Sequence, residues 1–471
     1  MTTNPKNDPM LGDLRARSAA SLLISTLASV FLAFPVCAQT TYSGSYSNVW
    51  NQDSGSFTPG APYNFAQFSF GGSTNNGRVD GRLFTTDGSL TGTSQSLNVG
   101  QTFLINMGGQ DGGGRSGVTT GGRIGFALYG GTDIFAGGTS NAWGRVNTDS
   151  LLRVEFVGGS ANTSIVGAST DGGPNFTEFK NGEFYRVTVL SDRQFTISYG
   201  ADTNTSAFTY NMSDLAGSGG TIQRVSVYNL GANMDSVFGP IIVSNAPYLN
   251  FSNNTGESKT INGIVGNNGA ISNSVVKNGV GTVTFTGNNT YSGSTTISNG
   301  VLRLDRTGGG AAGSTTNVTV NSGATLIIAQ NNQVNDSATV TLAGGTIERG
   351  SGVTETFGNL TLSAASTLNF GTGATSSLNF GTYTGGGFKL NVNNFLVGNV
   401  LTFRTDLSGS ISNTSLFGFD NAFSSAWNSG TSTFTITAIP EPTTILAAIG
   451  LAGLLLWPAR RRLLGSSAKS A

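Results

Sequence analysis

The chain has no histidine and a single cysteine, Cys37, in 471 residues. Without imidazole there can be no Ser-His-Asp triad, no His-Cys pair, no imidazole metal site and no imidazole proton shuttle. Catalysis would have to rest on carboxylates, Lys, Arg or Tyr. A lone thiol cannot close a disulfide within the chain, so packing and hydrogen bonds must supply stability. Charge is scarce as well: 10% of residues are charged, with 24 Lys and Arg balanced by 24 Asp and Glu, where about a quarter is usual. No Lys/Arg cluster occurs outside the termini, which leaves no basic face for phosphates and excludes nucleic acid as a partner. Glycine is abundant at 69 residues, and with Ser, Thr and Asn it predicts a neutral surface rich in hydroxyls and amides.

Alternation of apolar and polar residues predicts an all-β chain of more than one domain. Residues 39–245 read as short antiparallel strands. The clearest pair is a hairpin in which Tyr185, Val187 and Val189 lead through Ser191-Asp192-Arg193 to Phe195, Ile197 and Tyr199. Further runs lie at Phe103 to Met107, at Ile124, Phe126 and Leu128, at Leu152, Val154 and Phe156, and at Val225 to Leu230. Many such strands with aromatic inward positions predict a β-sandwich of jelly-roll or lectin-like kind, with a closed barrel as the alternative.

Across residues 246–385 aromatics thin out and a repeat appears. Segments beginning at Thr296, Thr319, Thr341 and Thr361 align, and their apolar residues Ile297, Val320, Leu342 and Leu362 follow at 23, 22 and 20 residues. This period predicts the coils of a parallel β-helix, with apolar residues stacked inside and Asn, Ser and Thr outside. Residues 386–438 alternate again and read as a β-rich cap over the last coil, or as a small separate sandwich.

The stretch from Val275 to Leu302 contains Lys277-Asn278-Gly279, Gly287-Asn288-Asn289-Thr290-Tyr291-Ser292-Gly293 and Asn299-Gly300-Val301-Leu302. It resembles the autotransporter-associated β-strand repeat, over about residues 273–304. The resemblance implies a passenger-like β-helix on a bacterial surface. The carboxy-terminal outer-membrane barrel of true autotransporters has no counterpart in the final residues, which read as one apolar helix and a basic end.

At the amino end, Arg15 and Arg17 precede an apolar run from Ala19 to Phe34, and Val36-Cys37-Ala38 offers the small residues of a signal-peptidase site. Residues 1–38 thus read as a signal peptide cleaved after Ala38, the alternatives being a retained anchor or, with a poor fit, a lipid-modified Cys37. At the other end, residues 439–471 contain Pro440, Glu441 and Pro442, an apolar span at 443–459 read as a transmembrane helix, and Arg460, Arg461 and Arg462 as a cytoplasmic stop. This order resembles the PEP-CTERM sorting signal handled by exosortases. The resemblance implies processing at the membrane and delivery to the cell surface or extracellular matrix, with exosortase and signal peptidase as processing partners.

The remaining candidates for chemistry read as structure. Lys277, Arg303, Asp305, Arg306, Asp336, Glu348 and Arg349 form no recurrent pair at coil spacing. Asp111, Asp133, Asp171 and Asp192 lack the Asp-x-Asp-x-Asp ladder of a calcium site and read as turns. Trp50, Trp143 and Tyr129 are candidates for stacking on sugar and equally for packing. No catalytic, cofactor or metal site is therefore predicted. The expectation is a non-enzymatic surface or matrix protein; the alternatives are a carbohydrate-binding adhesion module, with extracellular polysaccharide as partner, and a polysaccharide-degrading enzyme.

Overall fold

The chain divides into two compact units, Met1–Cys37 and Ala38–Ala471. The computed structural model describes residues 39–41, 50–54, 68–70, 76–82, 97–109, 120–130, 150–158, 163–167, 183–200, 208–214, 222–230, 236–246, 248–253 and 255–440. All belong to the second unit. Every regular element among them is a strand, and no helix among them is long and apolar enough to cross a membrane. The signal peptide, Ala38 and the apolar span at 443–459 lie outside the described residues.

The amino-terminal half of the described chain forms two antiparallel sheets. One orders its strands Gln39–Thr41, Ser236–Asn245, Gln101–Gly109, Glu183–Val189, Gln194–Gly200 and Phe208–Asp214, with Phe68–Phe70 also on Ser236–Asn245. The other orders Trp50–Ser54, Asn76–Arg82, Ile222–Leu230, Arg123–Gly130, Ser150–Val157 and Thr163–Gly167. Two-residue alternation sends one set of side chains from each sheet inward. Phe103 and Tyr185 of the first sheet meet Phe126 of the second at ring-centroid distances of 5.7 and 6.4 Å. Leu152, Val154, Phe156, Val187, Ile197, Val225 and Val227 are buried with them. In the hairpin, Val187 lies opposite Ile197 and Val189 opposite Phe195, and the Ser191 hydroxyl closes the turn by accepting the N–H groups of Arg193 and Gln194.

From Leu249 onward the pairing changes to parallel. Strands Leu249–Ser252, Val275–Asn278, Thr295–Ile297, Asn317–Asn321, Thr339–Ala343, Leu360–Ala364 and Tyr383–Thr384 stack into one ladder. A second ladder runs from Ser258–Ile261 through Thr282–Phe285, Val301–Leu304, Thr325–Ile328, Thr346–Arg349, Ser366–Asn369 and Leu390–Asn393 to Phe417–Phe419. A third face becomes a sheet only at Thr354–Thr356, Ser377–Asn379 and Val400–Phe403. The result is a β-solenoid of about seven turns. Thr296, Thr319, Thr341 and Thr361 are consecutive partners in the first ladder, which is the register of the sequence alignment. Each aligned segment contains two strands and the corner between them.

Inside, Val283, Leu302, Leu326, Ile347, Leu368 and Val392 form one buried column, a side chain from each coil. Phenylalanines stack likewise: Phe357 on Phe380 at 5.0 Å, and Phe380 on Phe403 at 5.7 Å, with rings within 16° of parallel. The parallel ladder continues past residue 385 to Phe417–Phe419. The antiparallel hairpin of Phe423–Asn428 and Thr433–Ala438 then pairs with Val400–Phe403 and covers strand backbone that a bare end would expose.

The other end of the stack is closed by the first pair of sheets. Leu190, at the hairpin turn, joins Leu249, Phe251 and Ile261 in one apolar cluster, with Val99 packed against it. Asp192 Oδ1 accepts the Ile264 N–H at 2.7 Å, Gln194 Nε2 donates to Asn262 Oδ1 at 2.9 Å, and Asn273 Nδ2 donates to the Val99 carbonyl at 3.1 Å.

Candidate functional site

Of the sorting residues, Pro440 is exposed at the last described position, while Glu441, Pro442, Arg460, Arg461 and Arg462 lie outside the described residues. So do Asp111, Asp133, Asp171 and Trp143, and the side chain of Trp50. The structure does not gather the other candidates into a site. Arg303 and Asp305 pair with each other at the surface at 3.0 Å, Asp192 is spent on the junction, and Tyr129 is buried. Among the described residues no three of His, Cys, Asp and Glu are placed to hold a metal ion.

The most concentrated set of ionisable groups is one the sequence reading passed over. Arg153 and Glu155 alternate with Leu152, Val154 and Phe156, so they project from the other face of the six-stranded sheet. There Arg123 Nη1 lies 2.6 Å from Glu155 Oε1, and the Tyr228 hydroxyl donates to Glu155 Oε2 at 3.1 Å. Arg153 Nε stands 3.4 Å from the same carboxylate. Gly125 makes room for the tyrosine: a Cβ there would stand 2.7 Å from its hydroxyl. Glu155 and Tyr228 are buried, and burial followed by the Glu155 charge holds the phenol well above its ordinary pKa. Arg-Val-Glu within an apolar alternation was the legible signal. The partners, 32 and 73 residues away, were not.

In the solenoid, three buried charges are held chiefly by backbone. Lys277 occupies an inward position between Phe251 and Ile297. Its ammonium donates to the carbonyls of Asn278, Gly279 and Asn299 at 2.9, 2.9 and 3.1 Å. Burial lowers its pKa to about 8, because the neutral amine is easier to desolvate. Arg349 donates to the carbonyls of Gly350 and Ala374 and to Asn399 Oδ1, and its guanidinium lies 5.5 Å from the centre of the Phe370 ring. Glu355 accepts the N–H groups of Gln333 and Val334, both at 2.8 Å, and burial raises its carboxyl to about 7. Lys277 and Arg349 stand at or next to the end of a strand and Glu355 within one, and each satisfies carbonyls or N–H groups turned inward by its own or an adjacent coil.

The outer side of the first ladder is different. Thr296, Thr319, Thr341, Thr361 and Thr384 stand in one column, about 4.8 Å apart from coil to coil. Flanking outward positions hold Ser294, Asn317, Thr339 and Asn359 on one side and Ser298, Asn321, Ala343 and Ser363 on the other. This face has no charged and no aromatic side chain. The second ladder's outer side carries Arg303 and Glu348 in one column.

A family model for the passenger-associated transport repeat matches residues 275–304, the coil that begins at Val275 and the first two strands of the next, with both Asn-Gly corners. No curated protein matches the chain. Among solved structures, the globular domain of T. cruzi calreticulin is similar at 9% identity and a TM-score of 0.25, over 44% of this chain and 83% of that one. The Ca2+-bound exoplasmic/lumenal domain of VIP36 is similar at 11% identity and a TM-score of 0.28, over 43% and 86%. An endo-1,3-beta-glucanase from Streptomyces sioyaensis is similar at 14% identity and a TM-score of 0.25, over 45% and 96%. Likeness this low carries no argument about function.

Proposed function

We propose that this protein is an exported, non-enzymatic component of a bacterial surface or extracellular matrix. In this reading signal peptidase cuts after Ala38 and an exosortase-type enzyme handles Pro440-Glu441-Pro442, with the span at 443–459 held in the membrane and Arg460 to Arg462 on its cytoplasmic side. The observation that carries the reading is the β-solenoid with a passenger-type repeat at residues 275–304, whose buried charges all cap the coil. Cell fractionation with mass spectrometry of both mature termini tests it. The expected product begins at Gln39 and ends near Glu441 or Pro442. A cytosolic chain with both ends intact overturns it.

A second reading, attachment to carbohydrate, is favoured by the uncharged threonine face. Hydroxyl and amide groups on a fixed repeat suit a neutral polysaccharide better than an acidic one. Retention of the protein on insoluble neutral polysaccharide, lost when Thr319 and Thr341 are both changed to Lys, supports this reading. Retention unchanged by those substitutions excludes the threonine face as the contact and overturns this reading.

A further inference from the structure

Lys277 does more than fill an interior gap, because two of its three acceptors are chemically special. The carbonyl of Asn278 belongs to the Asn278–Gly279 peptide and that of Asn299 to the Asn299–Gly300 peptide, so one ammonium holds both Asn-Gly bonds of neighbouring coils. In each, the glycine N–H points at the preceding side chain: Gly279 N lies 2.9 Å from Asn278 Oδ1, and Gly300 N 2.8 Å from Asn299 Oδ1. Each side-chain carboxamide is thus folded back against the peptide nitrogen that follows it. Both asparagines are exposed to water. Both glycines have positive φ, 76° and 65°, and a Cβ on either would fall within 2.5 Å of a neighbouring carbonyl oxygen, so no bulkier residue fits these corners.

We propose that this corner is a self-modification site, in which Lys277 activates Asn278 and Asn299 for conversion to aspartate and isoaspartate. A cation bonded to an amide oxygen stabilises the imidate form of that amide and makes its N–H more acidic. The glycine nitrogen gives up its proton and attacks the Asn Cγ. The side-chain nitrogen takes up the proton and leaves as ammonia, which closes a five-membered succinimide. Water then opens the ring at either carbonyl, leaving a carboxylate in place of the amide with no change in oxidation state. Each event adds one negative charge to a surface that has few, and the isoaspartyl product adds one atom to the backbone path at the corner.

Asn262–Gly263 and Asn268–Gly269 provide controls within the same chain. Asn262 Oδ1 is held by Gln194 Nε2, and Asn268 is tied through Oδ1 to Asn98 and through Nδ2 to Asn245. In both, the side-chain oxygen accepts from a side-chain amide of another strand or loop.

The test is peptide mapping by mass spectrometry of the full chain, incubated at neutral pH both folded and unfolded in urea. In the folded protein Asn278 and Asn299 are expected to convert faster than Asn262 and Asn268, and faster than the same two residues in urea. Lys277→Met should slow both sites roughly tenfold, the effect of losing one charge-assisted hydrogen bond, while Lys277→Arg should retain most of the rate. If Lys277→Met fails to fold, the folded-versus-urea comparison decides. Rates in the folded protein at or below those in urea overturn the proposal, as does a folded Lys277→Met protein that converts at the wild-type rate.

Discussion

The two halves of the described chain bury charge in opposite ways. In the antiparallel sheets, Glu155 is met by side chains from other strands, Arg123 and Tyr228. In the parallel stack, Lys277 and Glu355 are met by carbonyls and N–H groups of their own and adjacent coils. The difference follows from pairing. Antiparallel strands consume their backbone groups in the sheet, so a buried side chain must find another side chain. A solenoid turns a corner several times per coil, and each corner frees backbone groups that a charged side chain can satisfy without a counter-ion. A protein with 10% charged residues can therefore bury ionisable groups in its solenoid without matching each to an opposite charge.

The sharpest way to break this comparison is to remove chain. Excising residues 318–339, one coil measured from Val318 to its partner Val340, should leave a folded, shorter stack, since each coil depends only on its neighbours. Removing Gln101–Gly109, which bridges Ser236–Asn245 and Glu183–Val189, should unfold the antiparallel half. Circular dichroism during urea unfolding distinguishes the two outcomes. Unfolding of the antiparallel half by the coil deletion would show that the halves are one cooperative unit.

Phe380→Ala, in the middle of the stacked rings, should cost about 3–5 kcal/mol by leaving a cavity. The loss should appear in the solenoid transition only. Glu155→Gln should cost about 2–3 kcal/mol, because a neutral amide replaces a carboxylate bonded to charged and phenolic donors. Its loss should appear in the antiparallel transition. Urea denaturation followed by tryptophan and far-ultraviolet signals measures both.

The most gradual effect expected is one of pH. The Glu355 carboxyl has a value of about 7 in the fold against 4.5 ordinarily, so the folded chain holds that proton more tightly than the unfolded chain does. Its contribution to stability is complete below pH 4.5 and is lost as pH rises to about 7. The change across that window should amount to about 3 kcal/mol, about 1.4 kcal/mol for each pH unit. Unfolding of Glu355→Gln should lose the pH dependence in that window, and an unchanged profile would assign it to another group.

Much of the solenoid was legible. Ile297, Val320, Leu342 and Leu362 announced the period, because stacked coils demand an apolar side chain at the same place each turn. The coil at Leu249 was harder to read, because 26 residues separate Leu249 from its partner Val275 and the repeat there loses its spacing. Strands from Leu390 onward resumed alternation, but alternation does not distinguish another parallel coil from an antiparallel cap. The Glu155 cluster was illegible for another reason. Arg153 and Glu155 could be placed on one face of a strand, but nothing local indicates that Arg123 and Tyr228 share that face.

The sequence by itself determined the all-β class, the exclusion of imidazole and disulfide chemistry, the coil period and the neutral surface, since composition and spacing act through local geometry. Only the tertiary structure decided that Lys277 meets both Asn-Gly peptides, that Glu155 is caged by residues from other strands and that the first pair of sheets closes the end of the stack. These depend on which backbone groups the corners leave free and which strands become neighbours, and a linear pattern records neither.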